Sequence, residues 1–98
     1  MLDAALVISA LIIGVSVIKR LDMYELYSTD GCHLCDMAYE QVSQLNRLAQ
    51  VKVVDIVEKD ALVVDYGIRI PVIKHMATNE ELGWPFSVDE LAAFFGRH

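Results

Sequence analysis

The sequence predicts an α/β fold: a mixed four-stranded sheet with helices on both faces, in the order βαβαββα, behind an apolar N-terminal segment. Three observations carry that expectation. Alternating or β-branched runs at residues 24–28, 51–57, 68–74 and 81–84 are interleaved with stretches of helical periodicity. The only two cysteines form a C-x-x-C motif, Cys32-His33-Leu34-Cys35, where the first run gives way to the first helix. A strand–turn–strand pair and a capping box, Ser87-Val88-Asp89-Glu90, close the chain. Ninety-eight residues suit one small domain. They divide into an apolar extension, 1–22, and a folded domain, 23–98, which is near the small end of what sustains its own core.

Residues 4–18 carry no charge. As a helix they would reach about 22 Å, short of the roughly 30 Å hydrocarbon core of a bilayer. No Lys or Arg precedes them and no clear cleavage signal follows, which argues against a secretory signal peptide. Three readings stay open: a short membrane anchor, a helix packed on the domain or a neighbour, or a translated leader upstream of a start at Met23. If the segment inserted, Lys19-Arg20 on its C-terminal flank would keep the domain in the cytoplasm.

The first strand is Met23-Tyr24-Glu25-Leu26-Tyr27-Ser28, alternating and aromatic-rich. Thr29-Asp30-Gly31 makes a turn, and a helix begins near Cys32. Leu34, Ala38, Val42, Leu45 and Leu48-Ala49 form its apolar stripe, with Asp36 in the first turn and Arg47 near the last, as the dipole favours. Residues 51–57 are β-branched and read as a second, largely buried strand. Glu58-Lys59-Asp60 opens a short helix through Tyr66, with Gly67 as its stop. Residues 68–74 read as a third strand. Its Pro71 donates no ladder bond and belongs at a strand start, an edge or a bulge. Thr78-Asn79-Glu80 suits a turn, Glu81-Leu82-Gly83-Trp84 a returning strand, and the last helix runs from the capping box to Gly96. A β-α-β opening makes a right-handed parallel pair, and the strand–turn–strand close makes an antiparallel one.

The formal net charge is -6, and the basic residues are scattered apart from Lys19-Arg20. This excludes nucleic acid or an anionic membrane as a partner held by bulk electrostatics. It also gives no general attraction for anionic thiols. Two cysteines are too few for a disulfide-stapled secreted domain; a lone C-x-x-C beside a β-α pattern reads as redox chemistry in a reducing compartment, the cytoplasm. The first sulfur of such a motif sits at a helix N-terminus, where free N–H groups and the dipole favour a thiolate. The second lies about one turn on, within disulfide reach. The motif therefore proposes a dithiol–disulfide site. Glu80-Glu81 and Glu58-Lys59-Asp60 read as solvated faces.

Over residues 23–98 the chain resembles the thioredoxin superfamily, and more closely its glutaredoxin-like branch. The resemblance rests on Leu26-Tyr27-Ser28 leading through Gly31 into Cys32-His33-Leu34-Cys35, on Ile70-Pro71-Val72, and on the strand–turn–strand–helix close with Asp89-Glu90-Leu91. It implies a thiol–disulfide oxidoreductase, reducing protein or glutathione mixed disulfides. Cys32 would attack and Cys35 resolve. It implies a cis bond before Pro71, with the Ile70 backbone N–H and C=O turned to the substrate like a strand edge. His33 would stabilise the thiolate and Leu34 form an apolar rim. Asp30 and Asp36 would oppose the thiolate by like charge. Arg69, together with the Ser87 N–H at the final helix N-terminus, would meet a substrate carboxylate. No cofactor is required; glutathione or thioredoxin reductase would supply electrons.

The chain departs from the glutaredoxin pattern in several places. His33-Leu34 stands where many relatives have Pro-Tyr. Thr29-Asp30 stands where many have a lysine, and Gly83-Trp84-Pro85-Phe86-Ser87 where many have Gly-Gly and an acidic pair. Trp84 and Phe86 read as core, with rim contacts for a protein substrate as the alternative. The alternative function from another class is an iron–sulfur or zinc carrier using the same cysteines, since no proline follows Cys32 to obstruct a cluster. Zinc would need two further ligands, and His33, His75 and His98 lack the paired spacing of a structural module. A membrane-tethered binding module is a third reading.

Overall fold

The computed structural model describes residues 23–98; the expectations for 1–22 lie outside the described residues. The elements follow in the order β1 (Tyr24–Ser28), α1 (His33–Gln44), β2 (Val51–Asp55), α2 (Asp60–Tyr66), β3 (Val72–His75), β4 (Glu81–Gly83) and α3 (Val88–Gly96). Short 3-10 turns at Leu48–Gln50 and Ile56–Glu58 flank β2. Among the described residues no helix is long and apolar enough to cross a membrane.

The four strands form one sheet in the order β2-β1-β3-β4. β1 and β2 are parallel, with Tyr24 opposite Val51 and Ser28 opposite Asp55. β1 and β3 are antiparallel, Tyr27 facing Val72, and β3 and β4 likewise, Val72 facing Gly83. The twofold alternation of the strands then sorts the core. On one face Tyr24, Leu26 and Ile73 pack with Ala38 and Val42 of α1 and Leu91, Phe94 and Phe95 of α3. On the other, Tyr27 and Val72 pack with Ile56 and with Tyr66 of α2. The mixed sheet with helices on both faces is as the sequence predicts.

Three boundaries differ, at the end of α1, the end of β2 and the start of β3, while Gly67 stops α2 as expected. α1 ends at Gln44, and Asn46 takes a left-handed φ of 58°. The Asn46 N–H donates to the Ser43 carbonyl (2.9 Å) and the Arg47 N–H to the Val42 carbonyl (3.1 Å), a Schellman closure. Leu48 and Ala49 therefore fall in a separate turn, and Arg47 lies beyond the helix rather than in its last turn. β2 is an edge strand, so Val53 is about half exposed and Val57, beyond its end, more so; the expected burial fails because β-branched composition does not reveal the number of neighbours. Residues 67–69 form a turn with Ile68 fully exposed, and β3 starts only after Pro71, at the strand-start position open to a residue without an N–H. Gly67 stops α2 in a right-handed conformation, φ -51°; a Cβ there would lie 2.6 Å from the Val63 carbonyl oxygen.

The expected turn and capping box are present. Ser87 Oγ accepts from the Glu90 N–H (3.0 Å), and Glu90 Oε1 accepts from the Ser87 N–H (2.8 Å). Glu80 is exposed, as expected, and also ties down the C-terminal residues: it accepts from Arg97 Nη2 (2.6 Å) and pairs with His98 Nε2 (2.8 Å). His98 stacks on buried His75 at 4.0 Å between ring centres, beside Tyr24 and Phe94. Burial, then the neighbouring His98, push the His75 pKa below its ordinary value, and hydrogen bonds from Arg97 and His98 hold the Glu80 carboxyl low.

Two outcomes test this packing. Phe94→Ala, at a fully buried position, costs about 3–5 kcal/mol in urea denaturation, the range for emptying an aromatic site. The unfolded chain protonates His75 at higher pH than the folded one, so stability falls as pH drops from about 6.5 toward the lower folded pKa. Denaturation midpoints measured across that window decline in the wild type, and the decline is shallower in His75→Gln.

Candidate functional site

The loop after β1 sets the site. Thr29 and Asp30 turn the chain, and Gly31, at φ +77°, takes a left-handed conformation that side chains disfavour. The Thr29 hydroxyl donates to Asp55 Oδ1 at 3.1 Å, fastening this loop to the end of β2. Cys32 is the N-cap of α1, with extended backbone, and its sulfur accepts from the Cys35 N–H at 3.1 Å. That contact fills one of the helix's free donors. It also gives the Cys32 sulfur the neighbour that would stabilise a thiolate after reduction.

Cys32 and Cys35 are joined as a disulfide, with Cα atoms 5.2 Å apart. The two sulfurs differ in access: Cys32 is half-buried, whereas Cys35 is 2% exposed. His33 and Leu34 lie exposed on the first turn of α1. Tyr27 faces Val72, so Pro71 comes level with Ser28, at the sheet end from which the loop runs to Cys32. The Ile70–Pro71 bond is cis, as is Trp84–Pro85, and the Pro71 carbonyl accepts from the Trp84 N–H at 3.1 Å. A cavity of about 260 Å3 opens beside the loop, with Asp30, Asp36 and Asp55 in its wall.

The groups expected to hold a substrate carboxylate are occupied from within. Arg69 Nη1 meets Glu81 Oε1 at 3.4 Å, Arg69 Nε donates to the Asp65 carbonyl at 3.0 Å, and the guanidinium lies over the Tyr66 ring at 4.7 Å. The Ser87 N–H is taken by Glu90, and Asp89 and Glu90 put two acids in the first turn of α3. The Ile70 N–H, expected to face the substrate, donates to the Tyr66 carbonyl at 3.1 Å, because the 67–69 turn folds it back onto α2. Among the described residues no group of three or more His, Cys, Asp and Glu side chains is placed to hold a metal ion. His75 and His98 stack in the core beside Tyr24, at the end of β1 remote from Cys32.

Comparison with known families follows this geometry. The model of the Glutaredoxin-like domain (DUF836) matches residues 24–96. The chain belongs to that family. Crystal and solution structures of protein XcR50 from X. campestris, each 37% identical, superpose with TM-scores of 0.69 and 0.68. They cover 76% and 78% of this chain and 97% and 95% of theirs. Protein Ne2328 from Nitrosomonas europaea is 27% identical with a TM-score of 0.56, over 72% of this chain and 87% of its own. No curated protein matches the chain significantly. The glutaredoxin-like domain thus has the thioredoxin-like α/β fold, and its C-x-x-C pair at disulfide distance fits a redox role.

Two side chains on the α2 face of the sheet escaped the sequence reading. Glu81 was expected on a solvated face; it accepts from the Tyr66 hydroxyl at 2.5 Å through Oε2 and holds Arg69 through Oε1. Tyr66 also stacks on Tyr27, 4.3 Å between ring centres. Burial, reinforced by Glu81, pushes its pKa up to about 12. The one available signal was period two: with Leu82 turned to the α1 and α3 core, Glu81 must face α2.

Accessibility gives a direct check. In the reduced protein iodoacetamide alkylates Cys32 first, and Cys35 reacts at a comparable rate only after denaturant is added. Peptide mass spectrometry reads both sites. Equal labelling of the two in the native protein would contradict the geometry.

Proposed function

We propose that this protein is a thiol–disulfide oxidoreductase in which Cys32 attacks and Cys35 resolves. The observation that carries the reading is the asymmetry of the pair: a half-buried sulfur capping α1 with an N–H 3.1 Å away, bonded to a partner that is sealed in the core. In the reduced protein the Cys32 thiolate attacks one sulfur of a substrate disulfide. A Cys32–substrate bond forms, the substrate S–S bond breaks, and the first thiolate leaves. The Cys35 thiolate then attacks the Cys32 sulfur and expels the second. Two electrons have passed to the substrate, and the Cys32–Cys35 disulfide remains. An external thiol donor, glutathione or a reductase such as thioredoxin reductase, returns two electrons and two protons.

His33 supplies an imidazole beside the attacking sulfur, where its protonated form favours the thiolate. Leu34 gives an apolar rim, and Pro71 borders the site without presenting an N–H. The substrate class is a protein disulfide or a low-molecular-weight disulfide, including glutathione mixed disulfides. Because the Ile70 N–H is held by Tyr66, strand-like pairing with a peptide substrate uses that donor only if the turn opens.

Cys32→Ser abolishes disulfide reduction, whereas Cys35→Ser accumulates a mixed disulfide with substrate that intact-mass measurement detects. A panel of glutathione with its reductase against thioredoxin reductase returns the dithiol with at least one donor. Failure of both donors, with Cys32 unreactive toward small disulfides, would remove the reading.

A further inference from the structure

Arg69 stands two residues ahead of Pro71, and its charge is balanced inside the fold. Glu81 lies on β4 opposite Lys74, on the α2 side of the sheet. One of its oxygens is fixed by the Tyr66 hydroxyl at 2.5 Å, and the other meets Arg69 at 3.4 Å. The Tyr66 ring also lies under the guanidinium at 4.7 Å, and the Asp65 carbonyl accepts from Arg69 Nε. The arginine is therefore held by a fixed counter-ion, a flat aromatic face and a carbonyl together, as its planar fork allows. It remains about half exposed, 49% for its side chain, so loss of the counter-ion would leave it free to turn toward a ligand.

The other groups of the site have the same tendency. Glu90 fills the Ser87 N–H, and Asp30, Asp36 and Asp55 line a cavity at the loop that leads into Cys32. A substrate carboxylate would meet acids on the loop side and, among the described residues, an Arg69 already paired ahead of Pro71. Resting on the oxidoreductase reading, we infer that Glu81 is a specificity-determining residue: by holding Arg69 it makes the site select neutral and cationic disulfides over anionic ones. Specificity here works by removing an attraction and leaving a repulsion. Natural substrates would accordingly be disulfides flanked by basic or neutral groups rather than tripeptide disulfides rich in carboxylates.

Glu81→Gln separates charge from structure, since the amide oxygen still accepts from Tyr66 while the counter-ion is lost. Three probes are reduced by the dithiol protein in stopped flow: cystamine (cationic), hydroxyethyl disulfide (neutral) and oxidised glutathione (anionic). Ratios of their second-order rate constants cancel any change in Cys32 reactivity common to all three. Glu81→Gln raises the oxidised glutathione to cystamine ratio about threefold or more at low ionic strength, and added salt collapses the gain. Glu40→Gln, which removes an equal charge from the exposed side of α1, produces a smaller change. In an Arg69→Gln background, Glu81→Gln does no more than Glu40→Gln. An unchanged ratio in Glu81→Gln, or an equal rise without Arg69, overturns the inference while leaving the oxidoreductase reading in place. A wild-type protein inert toward hydroxyethyl disulfide overturns both.

Discussion

β1 sits inside the sheet, paired in parallel with β2 on one side and antiparallel with β3 on the other. Its Tyr24, Leu26 and Tyr27 are buried on both faces. A parallel neighbour can be reached only by a crossover, so the chain leaving β1 must climb away, form α1 and return. The N-terminus of α1 is thereby fixed above the C-terminal end of β1, with only the turn through Gly31 between them. The antiparallel partner, β3, has to begin at that same end, which brings Pro71 level with Ser28. Strand pairing thus brings Pro71 to the same end of the sheet as the loop that leads into Cys32.

The reactive pair uses the helix in two ways. Cys32 takes the capping position that Ser, Thr, Asp or Asn would ordinarily fill, so its sulfur inherits the hydrogen bond that a capping oxygen would accept. One turn on, Cys35 falls on the face of α1 that packs against the core with Ala38 and Val42. A single helical repeat therefore gives the two sulfurs different access from identical chemistry. Asp36, in the same first turn, favours the helix dipole while adding negative charge near the sulfur. The two effects on the motif oppose one another.

Carboxylates also order the β3–β4 half of the sheet and the helix after it. Glu81 holds Arg69 and Tyr66, and Glu90 closes the α3 capping box on Ser87. Glu80, the neighbour of Glu81, anchors Arg97 and His98. Each is a side chain of the antiparallel β3–β4 half or of the helix that follows. The carboxylates that stiffen this half therefore also take up Arg69, Arg97 and the Ser87 N–H. Ordering of the fold and electrostatic character of the site are coupled through them.

Much of this was legible in the sequence because it is encoded over a few neighbouring residues. The C-x-x-C at a strand-to-helix step, the Ser87–Glu90 capping box and the element order all depend on local geometry, and each stands where the sequence places it; Pro71 takes the strand-start option among the three open to it. Even locally one signal was overridden: apolar periodicity ran through Leu48, but Asn46 closed α1 four residues earlier with a left-handed turn. Tertiary structure alone decided the exposure of β2, which follows from its lying at the sheet edge. It alone brought Arg69 to Glu81, twelve residues on, and Arg97 to Glu80, seventeen residues back. It also turned the Ile70 N–H onto the Tyr66 carbonyl. A residue's sequence neighbours set its backbone, but its charge and hydrogen-bond partners are set by which strands and helices come to lie side by side.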